Sequence, residues 1–223
     1  MEWKLRAAEL FDLSRSIAAP LFGAGSVYPW EKLKEISAFI LELGKMLPEE
    51  KFDHPAEDVW VAKSAKIAPT AYLGGPLIID ENAEIRHCAF LRGSAIVGKG
   101  ATVGNSTELK NCILFDGAQA PHYNYVGDSI LGYKAHMGAG AITSNFRSDH
   151  RNVTLHGPEI ATGLRKFGAM LGDEAEIGCG SVLNPGTIVG RGSIVYPLSS
   201  VRGIVAEKTI YKRAGEVVAR EER

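Results

Sequence analysis

His122, Tyr123, Tyr125, Asp128, His136, Asn145, His150 and His156 crowd into one stretch of a 223-residue chain that has six histidines in all. An imidazole, with a reference pKa of about 6.5, takes up or gives back a proton near neutral pH, while phenol, carboxamide and carboxylate groups offer hydrogen bonds. Such a set suits proton transfer on a small polar molecule. Cys88, Cys112 and Cys179 are an odd number, without close pairing or histidine neighbours at zinc spacing. Neither a disulfide framework nor a structural zinc site is therefore expected, and Cys88 and Cys112 read as small buried residues.

The elements that must hold these groups repeat every six residues. Val61, Ile67, Leu73, Ile79, Ile85, Leu91, Val97, Val103 and Leu109 are spaced six apart, each followed four places later by a mostly small residue, from Ala65 to Ile113. The pattern resumes at Leu171, Ile177, Leu183, Val189, Val195 and Val201, with shorter hexads at Leu131 and Met137 between. A period of six matches neither a helix at 3.6 nor a strand at 2, so each hexad is a short strand plus a turn. Three such sides close a triangular coil, and coils stack about 4.8 Å apart by backbone pairing, with the branched residues inside. The class is all-β, a parallel β-helix. Glycine, at 25 residues, exceeds its usual share and fits regularly spaced turns.

Function is expected where the repeat fails. From Phe115 to Thr143 the hexads become irregular, and from Arg147 to Met170 they stop altogether (RSDHRNVTLHGPEIATGLRKFGAM). Two loops are thus expected to leave the prism close together along its axis. Ahead of the coils, residues 2–19 and 30–47 read as amphipathic helices, the second opened by Pro29 and closed by Pro48. They are expected to cover the end of the β-helix or to form a subunit contact. The divisions are a helical N-terminal segment at 1–57, the β-helix at 58–206 with its insertion at 147–170, and a partly exposed tail at 207–223.

Composition excludes several classes of partner. The 25 basic residues are dispersed and balanced by 26 acidic ones, for a net charge of -1, which argues against nucleic acid. No apolar run reaches the ~20 residues of a membrane span, and MEWKLRAAELFD is unlike a signal peptide, so no membrane contact and a cytoplasmic location are expected.

The stretch LRGSAIVGKGATVGNSTELKNCILFDGAQAPHYNYVGDSILGYKAHMGAGAITSNF, continued by KFGAMLGDEAEIG, is similar to the acetyltransferase domain of the bifunctional enzymes that make UDP-N-acetylglucosamine from glucosamine 1-phosphate. His-x-x-Tyr-x-Gly-Asp, Gly-Ala-Gly and Thr-x-Asn carry the likeness, which spans roughly residues 58–206. VYPWEKL resembles the linker that precedes the β-helix in such enzymes. No Gly-rich phosphate loop with a following Arg and Lys precedes it, so a pyrophosphorylase reaction is not expected from this chain.

The resemblance implies a left-handed β-helix of the hexapeptide-repeat acyltransferases. It also implies a homotrimer with active sites between subunits, and transfer of an acetyl group from acetyl-CoA to the amine of a hexosamine 1-phosphate in nucleotide-sugar synthesis. His122 matches the general base. Arg92 and Lys110 match phosphate-holding positions, Tyr125 and Asn145 match sugar- or amine-contacting ones, and His136 stands where the family has an asparagine. Lys166 matches a family lysine if 147–165 is an insertion, and Arg151 does otherwise. For acetyl-CoA, the match implies Ala139 and Phe146 at the acetyl end, Cys179 (a serine in the family) and Pro197 along the pantetheine, and Lys212 or Arg213 near the phosphates. A backbone N–H of Gly138–Gly140 would meet the oxyanion. No metal is called for. Two other readings stand beside this one. The first is a zinc enzyme like the γ-type carbonic anhydrases, with His87 and His122, although Gly117 and Gly127 occupy the positions five before and after His122. The second is a non-catalytic assembly or regulatory subunit.

Overall fold

The computed structural model of the chain describes residues 4–221. Its repeated strands form a parallel solenoid of about eight turns with three faces. Face A runs from Val59–Ala62 through Leu77–Ile79 and Ala95–Val97 to Thr187–Val189 and Ile204–Val205. Face B comprises Lys66–Ile67, Glu84–Ile85, Thr102–Asn105, Gln119–His122, His136–Met137, Glu176–Ile177, Ile194–Val195 and Thr209–Arg213. Face C comprises Tyr72–Gly74, Phe90–Arg92, Ile142–Thr143, Val182–Leu183 and Ser200–Val201. Glu108–Leu114 and Tyr125–Leu131 each begin on face C and finish on face A. Pairing is parallel throughout these ladders, and the hexad aliphatics point inward to form the axial core. Leu131, Met137, Ala135 and Ala141 of the short hexads join it.

The irregularity before Thr143 has a simple cause, and it is not a loop leaving the prism. On the C–A corner Gly93 and Ser94 separate Arg92 from Ala95, but Asn111 alone separates Lys110 from Cys112, and Asp128 alone separates Gly127 from Ser129. Each coil so shortened slips the hexad frame by one residue while strand pairing stays intact. Asn111 and Asp128 turn the tighter corner in the left-handed region, at φ 50 and 48, which their short polar side chains tolerate better than most. The expectation of two excursions is therefore corrected to one. It leaves after Phe146 and returns at Lys166, closed by a bridge between those two residues. Within it Thr154–Leu155 pairs with Ile160–Ala161, and Val153 and Leu155 are buried.

The N-terminal segment also departs from expectation. In place of a helix over 2–19 there is one turn at Ala7–Leu10, with 3-10 turns at Leu13–Arg15 and Ala19–Phe22, while residues 2 and 3 lie outside the described residues. The second helix begins as a 3-10 stretch at Pro29–Glu35 and becomes α at Ile36–Gly44. This segment lies along face A rather than over an end of the prism. Face A has aliphatic residues on its outer side as well: Ile78, Ile96, Ile113, Ile130, Met170 and Ile188 are buried with Phe11, Phe22, Trp30, Leu33, Ile36 and Ile40. A sheet with apolar residues on both sides has to be covered on both. Gly44 approaches so closely that a Cβ there would fall 2.4 Å from the Trp60 ring.

At the two ends, antiparallel strands close the solenoid. Phe52–Ala56 pairs with Val59–Ala62, and Glu216–Ala219 folds back on Thr209–Arg213, which still belongs to the face B ladder. The coil thus continues past residue 206, with Tyr211 buried inside it. Cys112 is buried in the core, but Cys88 is exposed, contrary to expectation, because it turns the B–C corner at φ 61. Among the described residues, no helix is long and apolar enough to cross a membrane.

Candidate active site

Two corners of the prism, with face C between them, hold most of the residues singled out by sequence. Along the B–C corner a backbone ladder stacks successive turns. The Gly140 N–H donates to the His122 carbonyl at 3.0 Å, the Gly180 N–H to Ala139 at 2.8 Å and the Leu198 N–H to Cys179 at 2.9 Å. His122, Ala139, Cys179 and Pro197 therefore rise in one column. His122 ends its strand exposed, its ring 6.0 Å from that of Tyr123. Beneath it the buried Asn124 acts as a staple. Its Oδ1 accepts from the His122 N–H at 3.0 Å, and its Nδ2 donates to the Gly138 and Ala141 carbonyls, each at 2.9 Å. The His122 backbone and the Gly138–Ala141 turn are thus held at a fixed separation. Within that turn the Gly138 N–H is taken by Ile177 and the Gly140 N–H by His122, whereas the Ala139 N–H has no hydrogen-bond partner among the described residues.

The second group occupies face C and the shortened C–A corner. Lys110 Nζ donates to Asp128 Oδ1 at 2.8 Å and Oδ2 at 3.1 Å, and Asn111 Nδ2 donates to Oδ1 at 2.8 Å. Asn145 Nδ2 donates to Asp128 Oδ2 and, at 3.1 Å, to the Tyr125 hydroxyl. Arg92 reaches Glu108 at 3.1 Å on the same face. Burial, reinforced by the nearby Asp128 and Glu108 carboxylates, pushes the Tyr125 phenol above its ordinary range and keeps it a neutral hydrogen-bond donor. Tyr125 folds back over Gly127, where a side chain would strike its hydroxyl. The charges of Arg92 and Lys110 are matched by Glu108 and Asp128, whereas the exposed Lys166, opposite Phe146 at the mouth of the insertion, makes no ion pair among the described residues.

Other expected site residues stand apart from both groups within the chain. His136 projects from face B, in register with Gln119 and Glu176, and pairs with Glu176 at 2.9 Å. Phe146 lies at the insertion, with His150 edge-on at 5.1 Å, across face C from Ala139. Lys212 and Arg213 both pair with Glu216 of the terminal hairpin. Among the described residues no group of three or more His, Cys, Asp or Glu is arranged to hold a metal ion. Sequence reading missed the roles of Asn111, Asn124 and Asp128. The one-residue slips of the hexad frame at 111 and 128 were the signal for two of them.

The GMPPB C-terminal domain family matches residues 73–189. "Bifunctional protein GlmU" of Methanococcus vannielii is 38% identical over 128 residues, 56% of this chain and 31% of that protein. GlmU of Methanococcus maripaludis is 30% identical over 178 residues, 70% of this chain and 43% of that protein. The chain thus spans less than half the length of these relatives. Among solved structures, the Caulobacter crescentus perosamine N-acetyltransferase in complex with CoA and GDP-perosamine aligns at 15% identity and a TM-score of 0.35, covering 74% of this chain and 57% of that one.

Proposed function

The chain belongs to the GMPPB C-terminal domain family, and from that premise we propose that it is an acyltransferase that moves the acetyl group of acetyl-CoA onto the amine of a hexosamine 1-phosphate, glucosamine 1-phosphate first. The observation that carries the proposal is the column of His122 with the Ala139 amide on one corner, and the Lys110, Tyr125 and Asn145 group gathered on face C and the next corner. His122 accepts a proton from the amine as its nitrogen attacks the thioester carbonyl. The tetrahedral oxyanion is met by the Ala139 N–H; collapse breaks the C–S bond, and the proton passes from His122 to the departing thiolate. Acetyl-CoA lies along the column through Cys179 and Pro197, its phosphates toward Lys212 and Arg213. The sugar phosphate is held by Arg92, Lys110 and Lys166, with Tyr125 and Asn145 on its hydroxyl and amine groups, while His136 and Phe146 come from the neighbouring subunit or border the mouth. No metal takes part.

The N-terminal segment supports the assembly that belongs to this reading. Face A is buried beneath it, so a neighbouring prism has only faces B and C to pack on. Head-to-tail contact of B on C closes after three copies into a ring, which brings the donor column of one chain to the acceptor face of the next. Such an enzyme works in nucleotide-sugar synthesis in the cytoplasm.

The test is release of thiol from acetyl-CoA with a panel of hexosamine 1-phosphates, for the wild type and His122→Ala. Amino-sugar-dependent thiol release is expected, and the substitution lowers kcat by about 10²- to 10⁴-fold, the usual worth of a positioned base. If no amino sugar draws out CoA, the acetyl-transfer reading fails. Unchanged turnover in the variant removes the role of His122 alone.

A further inference from the structure

Asp128 is the most densely engaged side chain near the site, and the reaction proposed above gives it no role. We propose that it is a positioning residue that fixes the hydrogen-bonding polarity of the acceptor pocket. The inference rests on the acetyl-transfer reading. The Asp128 side chain is 5% exposed. It collects donors from the coils on both sides of its own: Lys110 and Asn111 on one, and Asn145 on the other. Its backbone is tied as firmly. The residue turns its corner at φ 48, and its carbonyl accepts the Gly168 N–H at 2.9 Å where the chain re-enters from the insertion.

An ionised carboxylate only accepts hydrogen bonds, and that asymmetry propagates. Facing Asp128, the Asn145 carboxamide must present its nitrogen; the second hydrogen of that nitrogen goes to the Tyr125 oxygen. Both amide hydrogens are then used inside the cluster, and Oδ1 of Asn145 is turned outward as an acceptor. Tyr125, whose oxygen accepts from Asn145, is left to donate its own hydrogen outward. Lys110 gives two hydrogens to the two oxygens of Asp128 and keeps one for a ligand. A sugar phosphate thereby meets two donors, from Lys110 and Tyr125, and one acceptor, from Asn145. The acceptor suits an N–H or O–H of the sugar, and the donors suit phosphate or ring oxygens. Without a carboxylate at 128 the amide at 145 is free to turn over, and an outward N–H would then face the group it is meant to receive.

Three variants test this: Asp128→Asn, Asn145→Asp and the double exchange. Asp128→Asn is isosteric and permits both amide orientations, and Asn145→Asp sets two carboxylates against each other. Each single variant is expected to lower kcat/KM for the sugar phosphate by about 10- to 100-fold, the effect of losing a charge-assisted contact at a substrate. Acetyl-CoA affinity, measured by calorimetry, stays unchanged, because the donor column is on another corner. The double exchange again sets one donor against one carboxylate and keeps an acceptor at 145, but a carboxylate there cannot donate to Tyr125, whose hydroxyl turns inward; recovery is therefore partial, about threefold over the slower single variant. A purely structural ion pair would instead lower the melting temperature and leave turnover normal wherever the protein is folded. Asp128→Asn within threefold of wild type overturns the inference, as does a double variant no faster than the slower single one. Should Asp128→Asn fail to fold, Asn145→Asp and the double variant decide the matter. A wild type that transfers no acetyl group to any amino sugar overturns the acetyl-transfer reading and this inference together, whereas an active wild type with an unaffected Asp128→Asn overturns this inference alone.

Discussion

Gly127→Ala isolates the acceptor side of the site with little disturbance of the fold. Gly127 is not among the glycines at positive φ, so its backbone accepts an alanine without strain. The added Cβ would lie 2.4 Å from the Tyr125 hydroxyl and 2.8 Å from Asn145 Nδ2, where ordinary contact begins at 3.4 Å. The phenol must therefore retreat by about 1 Å and the amide by about half as much. Tyr125 is only half-buried and swings outward without moving the strand. The stability lost is about 1 kcal/mol, the net worth of the Asn145–Tyr125 hydrogen bond. The catalytic loss is larger, because a displacement of about 1 Å at a substrate-positioning group lowers turnover on the order of 10²-fold. Steady-state thiol release gives kcat and the KM of the sugar phosphate, calorimetry the affinity for acetyl-CoA, and a thermal melt the stability. The expected pattern is a fall in kcat/KM for the acceptor, unchanged acetyl-CoA affinity and a melting temperature within a few degrees of wild type. Turnover within threefold of wild type would show that neither Tyr125 nor Asn145 touches the acceptor in a way that matters.

Phe115→Ala should cost about 3–5 kcal/mol in chemical denaturation, since Phe115 is fully buried and packs at 5.1 Å from Phe11 and 6.1 Å from Phe22, where face A meets the N-terminal segment. A loss below about 1 kcal/mol would mean that the segment is not anchored there. Burial raises the carboxyl of Asp80, opposed by the Glu81 N–H that it accepts, so the folded state binds its proton more tightly than the unfolded chain. Stability from this group is then highest below the unfolded pKa of about 3.9 and falls as pH rises through the folded value. Asp80→Asn should accordingly raise the melting temperature most near neutral pH, with the gain fading on acidification; a gain that grows toward acid contradicts the sign. Burial also pushes the Cys112 thiol up to about 12, so a thiol reagent at mildly alkaline pH leaves it unmodified until denaturant is added. Labelling of Cys112 in the native protein would show that the core opens at this coil.

The solenoid was legible because its information is local. A residue either points into the axial core or away from it, and an aliphatic at every sixth place records that choice without reference to any distant part of the chain. His122, Ala139, Cys179 and Pro197 were named only by the family resemblance; that they rise in one column follows from stacked coils carrying matching positions to the same corner. The lengths of the N-terminal helices were not legible. Apolar residues such as Ala7, Leu10 and Phe11 have the spacing of a helix face, but they also satisfy a chain of short turns laid on a flat aliphatic sheet.

Sequence by itself determined that this chain coils, where the coils are regular, and which stretch gathers most of the histidines. Tertiary structure alone decided which face is covered, that among the described residues one loop leaves the prism, and that Asp128 gathers Lys110, Asn111 and Asn145 into one cluster. Those contacts join residues 17 or 18 places apart across a corner. Their existence depends on how many residues turn that corner in each coil. Removing one residue leaves the inward pattern readable while changing which side chains meet outside it, so a periodic signal records burial along the chain but not the partners that stacking creates.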